Sequence, residues 1–185
     1  MAWNIDATHS QATFSVRHMM ISTVRGQFNV LSGQLHIDEA NPGNSWVEAE
    51  VDATSVDTRD EKRDGHLRSP DFFDVATYPK ITFKSTKVEH VGESGYKISG
   101  GLTMHGVTKP VTFEAEYHGQ LKDVFGLQRA ALTAKTTINR KDFGLNWNVA
   151  LETGGVMLSD KVAIEIDLEA VQQAPVQQEA AAQRA

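Results

Sequence analysis

Apolar and polar residues alternate with a period of two along most of this chain, and few architectures accept that pattern over so long a stretch. A strand points successive side chains to opposite faces, so strict alternation marks a strand with one dry face and one wet face. Ala12, Phe14, Val16, His18 and Met20 share one parity, while Thr13, Ser15 and Arg17 take the other. Trp3 and Ile5 alternate with Asn4 and Asp6. Phe28, Val30, Leu35 and Ile37 resume the pattern around Gly33, and Val47, Ala49, Val51 and Ala53 continue it. Ile81 and Phe83 open a long strand towards Val91; Tyr96, Ile98, Leu102 and Met104 follow. Val111, Phe113, Ala115 and Tyr117, then Ala130, Leu132 and Ala134, then Val162, Ile164, Ile166 and Leu168 complete the series. Short turns such as Asn41-Pro42-Gly43-Asn44 and Gly92-Glu93-Ser94-Gly95 separate these runs. The reading is about eight antiparallel strands with one wet face. Such a sheet must close or stack to protect its edges, and periodicity alone fits a barrel and a two-sheet sandwich equally.

One stretch breaks the pattern. From Asp60 to Leu67 the chain is charged and free of proline, enough for about two helical turns. Ser69-Pro70-Asp71 ends that helix, because proline biases the residue before it away from the helical region. Phe72 and Phe73 then need burial. The segment Arg63 to Asp74 reads as a short helical lid over one end of the β core, its charges in water and a phenylalanine facing inward.

The chain has 185 residues, a size that suits one domain, with net charge −6. Nucleic-acid binders carry a basic field, which argues against that class. It has no cysteine, which excludes disulfides, zinc–thiolate sites and cysteine nucleophiles within it. No apolar run is long enough for a membrane-spanning helix. Met1-Ala2-Trp3 leads directly into patterned sequence, so the expected location is cytoplasmic, or periplasmic if a leader has been removed. Residues 1–171 are expected to form the folded β domain, and 172–185, rich in Ala and Gln, a flexible tail.

Catalytic patterns are missing. There is no Gly-x-Ser-x-Gly elbow, no His-Glu-x-x-His and no phosphate-cradling glycine loop. Asp71 and Asp74 could pair, yet carboxylates in a turn more often cap backbone amides. His18 sits on an apolar face, where a histidine is more often a satisfied core group than a ligand. The inward set of Phe14, Phe28, Phe73, Phe83, Phe113, Phe143, Met20 and Met104 fits a packed core or an apolar tunnel for a long hydrocarbon.

Several motifs taken together bear on this choice. They are Trp3-x-Ile5-Asp6-x-x-His9-Ser10, Phe14-x-Val16-x-His18 and Gly26-x-Phe28, followed by Arg63-Asp64-x-His66-Leu67-x-Ser69-x-Asp71-Phe72-Phe73-Asp74. Pro79-x-Ile81-Thr82-Phe83-x-Ser85, Gly101-Leu102-Thr103-Met104-x-Gly106-Val107-Thr108-Lys109, Arg140-x-Asp142-Phe143-Gly144 and Asp160-x-Val162 complete them. In this order they resemble the YceI-like family of bacterial polyisoprenoid-binding proteins over about residues 3 to 171. The resemblance implies an all-β, eight-stranded antiparallel lipocalin-like barrel holding an isoprenoid quinone or polyprenyl phosphate, without established catalysis. The isoprenoid is the expected ligand and no cofactor is required. A transient membrane contact and a homodimer are further expectations. An enzyme acting on an isoprenoid, or on another small stress-related molecule, is the alternative, and a barrel with a filled core and no ligand stays a third reading.

On this reading the tunnel is built from Phe14, Val16, Met20, Phe28, Phe83, Leu102, Met104 and Phe113, with Phe73 and Phe143 beside it. His18, Arg63, His66 and Arg140 are the head-group candidates, since Arg and His donate to quinone carbonyls and Arg forks onto phosphate. Otherwise the arginines would pair with Asp60, Asp64 or Asp142.

Overall fold

A computed structural model describes residues 2–173, which leaves most of the expected tail outside the described residues. Eleven strands form one antiparallel sheet: β1 (Ala2–Ile5), β2 (Gln11–His18), β3 (Ser22–Phe28), β4 (Leu31–His36), β5 (Trp46–Asp52), β6 (Val56–Asp57), β7 (Lys80–Val91), β8 (Gly95–Met104), β9 (Val107–Lys122), β10 (Gln128–Asn139) and β11 (Leu158–Gln172). Helix α1 (Glu61–Arg68) stands between β6 and β7.

The eleven segments make eight staves. β1 and β2 both pair with β11, so they are two halves of one interrupted stave. β3 and β4 pair with β2 and β1 respectively, and β6 and β5 pair with β3 and β4, so each of these couples is likewise one broken stave. The remaining staves follow in chain order from β7 to β11, and β1 against β11 closes the ring. This is an up-and-down barrel in which no long edge is left unpaired.

Alternation places the core. Trp3, Ile5, Leu31, Leu35, Ala130, Leu168 and Ala170 pack together at the end remote from α1. Leu102, Met104, Ile138, Phe143 and Leu145 pack at the α1 end. Two glycines allow close approaches. A side chain at Gly26 would collide with the Phe14 ring and the Thr58 methyl. Gly33, at φ 148°, lies against the backbone of Glu48 and Ala49 on the neighbouring strand.

Helix α1 begins where the sequence predicts. Asp60 caps it, its carboxylate accepting from the Arg63 amide at 3.0 Å. The Ser69 amide closes the last turn on the His66 carbonyl before Pro70. The helix fills the gap where β6 leaves the line of β5 and β7 starts again at Lys80.

Three expectations fail here. Met20 does not point inward. β2 ends at His18, and Met19 (φ 50°) and Met20 (φ 65°) form a left-handed turn that leaves Met20 63% exposed. Val30 is exposed because the chain steps between β3 and β4 there, so Leu31 takes the inward place. The charges of the helical segment are not all in water: Asp64 is buried.

Candidate functional site

The inward side chains of the staves do not meet along the whole axis. They enclose a cavity of about 350 Å³, lined almost entirely by carbon. Folded proteins hold small ligands in cavities of roughly 300–1,000 Å³. Its deep part is aliphatic and aromatic: Val47, Ala49, Ile98, Phe113, Leu132 and Ile166. Its polar side chains gather towards the α1 end, where His18, Thr58, Arg63, His66 and Arg140 reach the wall.

Of the residues expected at the tunnel, Phe14, Val16, Phe28, Phe73, Phe83, Leu102, Met104 and Phe113 line this cavity, as do His18, Arg63, His66 and Arg140. Strand register explains the grouping. Phe83 stands opposite Leu102, Phe113 opposite Ile98, and Phe28 opposite Ala12, all on the inner face. Phe14 packs on Phe28 with ring centres 5.6 Å apart, and Phe28 meets the edge of Phe73 at the same separation. Met20 and Phe143 lie elsewhere. Met20 sits in the β2–β3 turn, its sulfur against Gly155. Phe143 is 1% exposed and packs behind the wall with Leu102, Met104, Ile138 and Leu145.

The α1 end is closed by an aromatic group and two polar clamps. The His66 ring stands edge-on to Phe72 (5.0 Å) and Trp147 (4.8 Å), and its Nε2 is 2.9 Å from the Asp71 carboxylate. The first clamp ties the helix to the barrel. Asp64 Oδ1 accepts from the Thr58 amide (2.8 Å) and hydroxyl (2.6 Å). Arg63 Nε donates to the Thr58 hydroxyl (2.7 Å) and its Nη2 to the Thr58 carbonyl (2.8 Å). The second clamp shapes the long β10–β11 connection. Arg140 donates through Nη1 to the carbonyls of Leu145 (2.7 Å) and Trp147 (2.8 Å), and through Nε to Ser159 (3.0 Å).

Burial pulls the Arg140 pKa below the ordinary arginine value, while Asp160, 3.9 Å from Nη2, opposes the shift. Asp160, rather than Asp142, is therefore its acidic neighbour. Arg63 is thus committed to Thr58, while Arg140 uses Nε and Nη1 on carbonyls and keeps a buried Nη2 with no hydrogen-bond partner among the described residues. His18 reaches the cavity wall and its imidazole makes no hydrogen bond among the described residues.

Sequence reasoning missed Trp147 and Thr58, and named Asp64 only as a motif residue and a possible partner of the arginines. Trp147 lies in the aperiodic stretch after Gly144, where no parity assigns a face. The Thr58–Asp64 tether spans a helix start and matches no general spacing rule. Ile98 and Leu132 were visible by parity. Outside the cavity, Asp6, His9 and Glu169 bring three metal-capable side chains together, but Arg129 already lies among them, 2.8 Å from Asp6 and 2.5 Å from Glu169.

Comparison with known proteins follows the same outline. Residues 3–170 match the family model described as YceI-like domain. Protein YceI of Escherichia coli O157:H7 is 40% identical over 168 residues, covering 91% of this chain and 84% of that protein. The crystal structure of the Campylobacter jejuni YCEI protein is 30% identical, covers 85% of this chain and 90% of its own, and superposes with a TM-score of 0.74. A polyisoprenoid binding domain from Saccharophagus degradans shares the fold, with a TM-score of 0.69 at 22% identity over 92% of this chain and 98% of its own.

Proposed function

Because this chain belongs to the YceI-like family and its barrel encloses an apolar tunnel, we propose that it binds one long-chain isoprenoid lipid, an isoprenoid quinone or a polyprenyl phosphate, for storage, transport or presentation. The observation that carries this reading is the polarity gradient along the cavity. A wholly apolar deep end suits hydrocarbon, and polar side chains at the α1 end suit a head group. Burying hydrocarbon is favourable by roughly 25 cal/mol per Å². The binding described for the Saccharophagus degradans domain supports the same ligand class.

The α1 end is the proposed mouth. Parting paired strands would expose many backbone donors and acceptors, whereas Phe72, Phe73 and Trp147 can move with their connections. His18 and the buried Arg140 Nη2, which makes no hydrogen bond among the described residues, are the proposed head-group donors, since Arg63 is already engaged by Thr58.

Organic extraction of the purified protein followed by mass spectrometry tests the reading. An isoprenoid near one molecule per chain is the expected result. An extract without isoprenoid, from protein made in cells that synthesise them, would overturn it.

A further inference from the structure

Beyond the deep end of the tunnel lies a second hollow of about 70 Å³, one fifth of the tunnel's 350 Å³. The two hollows share three wall residues, Val47, Ile98 and Leu132. Val47 belongs to β5 and Leu132 to β10, which stand on opposite sides of the eight-stave ring, and Ile98 on β8 lies between them in the strand order. The residues common to both walls are all aliphatic.

The outer side of the smaller hollow is tied by Glu39 from the β4–β5 connection. The Tyr117 hydroxyl donates to the Glu39 carboxylate at 2.9 Å, and the Gln120 amide donates to the same oxygen at 2.8 Å. Burial, with the Glu39 bond acting the same way, raises the Tyr117 pKa far above the ordinary phenol value, so this phenol remains a donor at neutral pH.

We propose that Val47, Ile98 and Leu132 form a chain-length stop. They end the tunnel and set the length of isoprenoid that fits, and the hollow behind them is a latent extension. This rests on the isoprenoid-binding reading above. A chain that fits buries all its methylenes. A chain one unit longer must leave carbon in water at the mouth or force the three side chains apart, and both are unfavourable. Because isoprenoids grow by whole units, a small septum discriminates between neighbouring lengths.

The test loads the full-length protein with an equimolar mixture of all-trans polyprenols of consecutive lengths. Excess is removed, and the retained lengths are read by mass spectrometry. Ile98→Ala and Leu132→Ala should each raise the preferred length by one isoprene unit or more. Ala115 borders the smaller hollow and not the tunnel. Adding Ala115→Leu to Ile98→Ala should therefore restore the wild-type length. Should both truncations fail to fold, Ala49→Leu, which fills the tunnel just on the mouth side of the stop, should shorten the preferred length instead. A wild-type protein that loads, with variants that load the same lengths, overturns the stop and leaves the binding reading intact. A wild-type protein that takes up no polyprenol overturns both.

Discussion

Removing the Asp64 carboxylate should loosen α1 from the barrel. Asp64 is 5% exposed, and Thr58, whose amide and hydroxyl it accepts, is 5% exposed as well. In Asp64→Ala the hydroxyl can rotate, but the Thr58 amide is left buried without an acceptor. One buried unsatisfied amide costs about 1–3 kcal/mol, and hydrogen bonds to a charged group contribute about 1.5–3 kcal/mol. Relief of the buried carboxylate offsets part of this, so a net loss of about 2–3 kcal/mol follows. Asp64→Asn keeps a carbonyl acceptor at the same place and should lose about 1 kcal/mol. Urea unfolding measures the global part. Amide exchange across residues 58–74 measures the local part, which should dominate because α1 touches the sheet chiefly through β6. Unchanged urea midpoint and unchanged exchange in Asp64→Ala would refute the tether.

Four further outcomes are expected. Phe73→Ala removes a ring that meets Phe28 at the mouth end and should raise the lipid off-rate several-fold, with exchange in 63–74 faster in empty than in loaded protein; an unaltered off-rate and equal exchange would make the segment a static cap. Met104→Lys places a charge on the tunnel wall and should abolish lipid co-purification from folded protein; full occupancy would remove Met104 from the site. His18→Leu should weaken binding of an isoprenoid quinone by roughly tenfold, about the contribution of one hydrogen bond, without weakening binding of the matching hydrocarbon; equal affinity in a titration rejects the donor role. The His9 hydrogen bond first, and the Arg129 pair second, hold the Asp6 carboxyl well below its ordinary range. A folded pKa below the unfolded value of about 3.9 stabilises the fold above that value and loses this as pH falls towards the folded one, so between about pH 5 and pH 2 the wild type should lose stability more steeply than Asp6→Asn. Parallel curves would contradict it.

Most of the wall was legible because each stave has one dry and one wet face. Phe14 and Val16, or Leu102 and Met104, could be assigned by counting. The same counting misled at Met20, because the β2–β3 turn is made by two methionines at positive φ rather than by Gly or Asn. Closure was not legible. It depends on Trp3 pairing with Gln172 across almost the whole chain, and local alternation carries no register between distant strands. The break near Asn29 was not legible either: Phe28, Val30, Leu35 and Ile37 read as one run, whereas β3 ends at Phe28 and β4 begins at Leu31. Charge alone could not separate clamps from head-group donors. In sequence Arg63 and Arg140 read as head-group donors or as partners of nearby aspartates, and in space they are held by Thr58 and by three carbonyls.

The central claim is that the interior of the barrel, entered from the α1 end, holds the isoprenoid chain. Crystals grown with a polyprenol brominated on its terminal unit would show where that end resides. An anomalous peak inside the barrel at the deep end, beside Ile98 and Leu132, is the predicted result. A peak on the outer surface, or an interior filled by side chains with no ligand density, would contradict it.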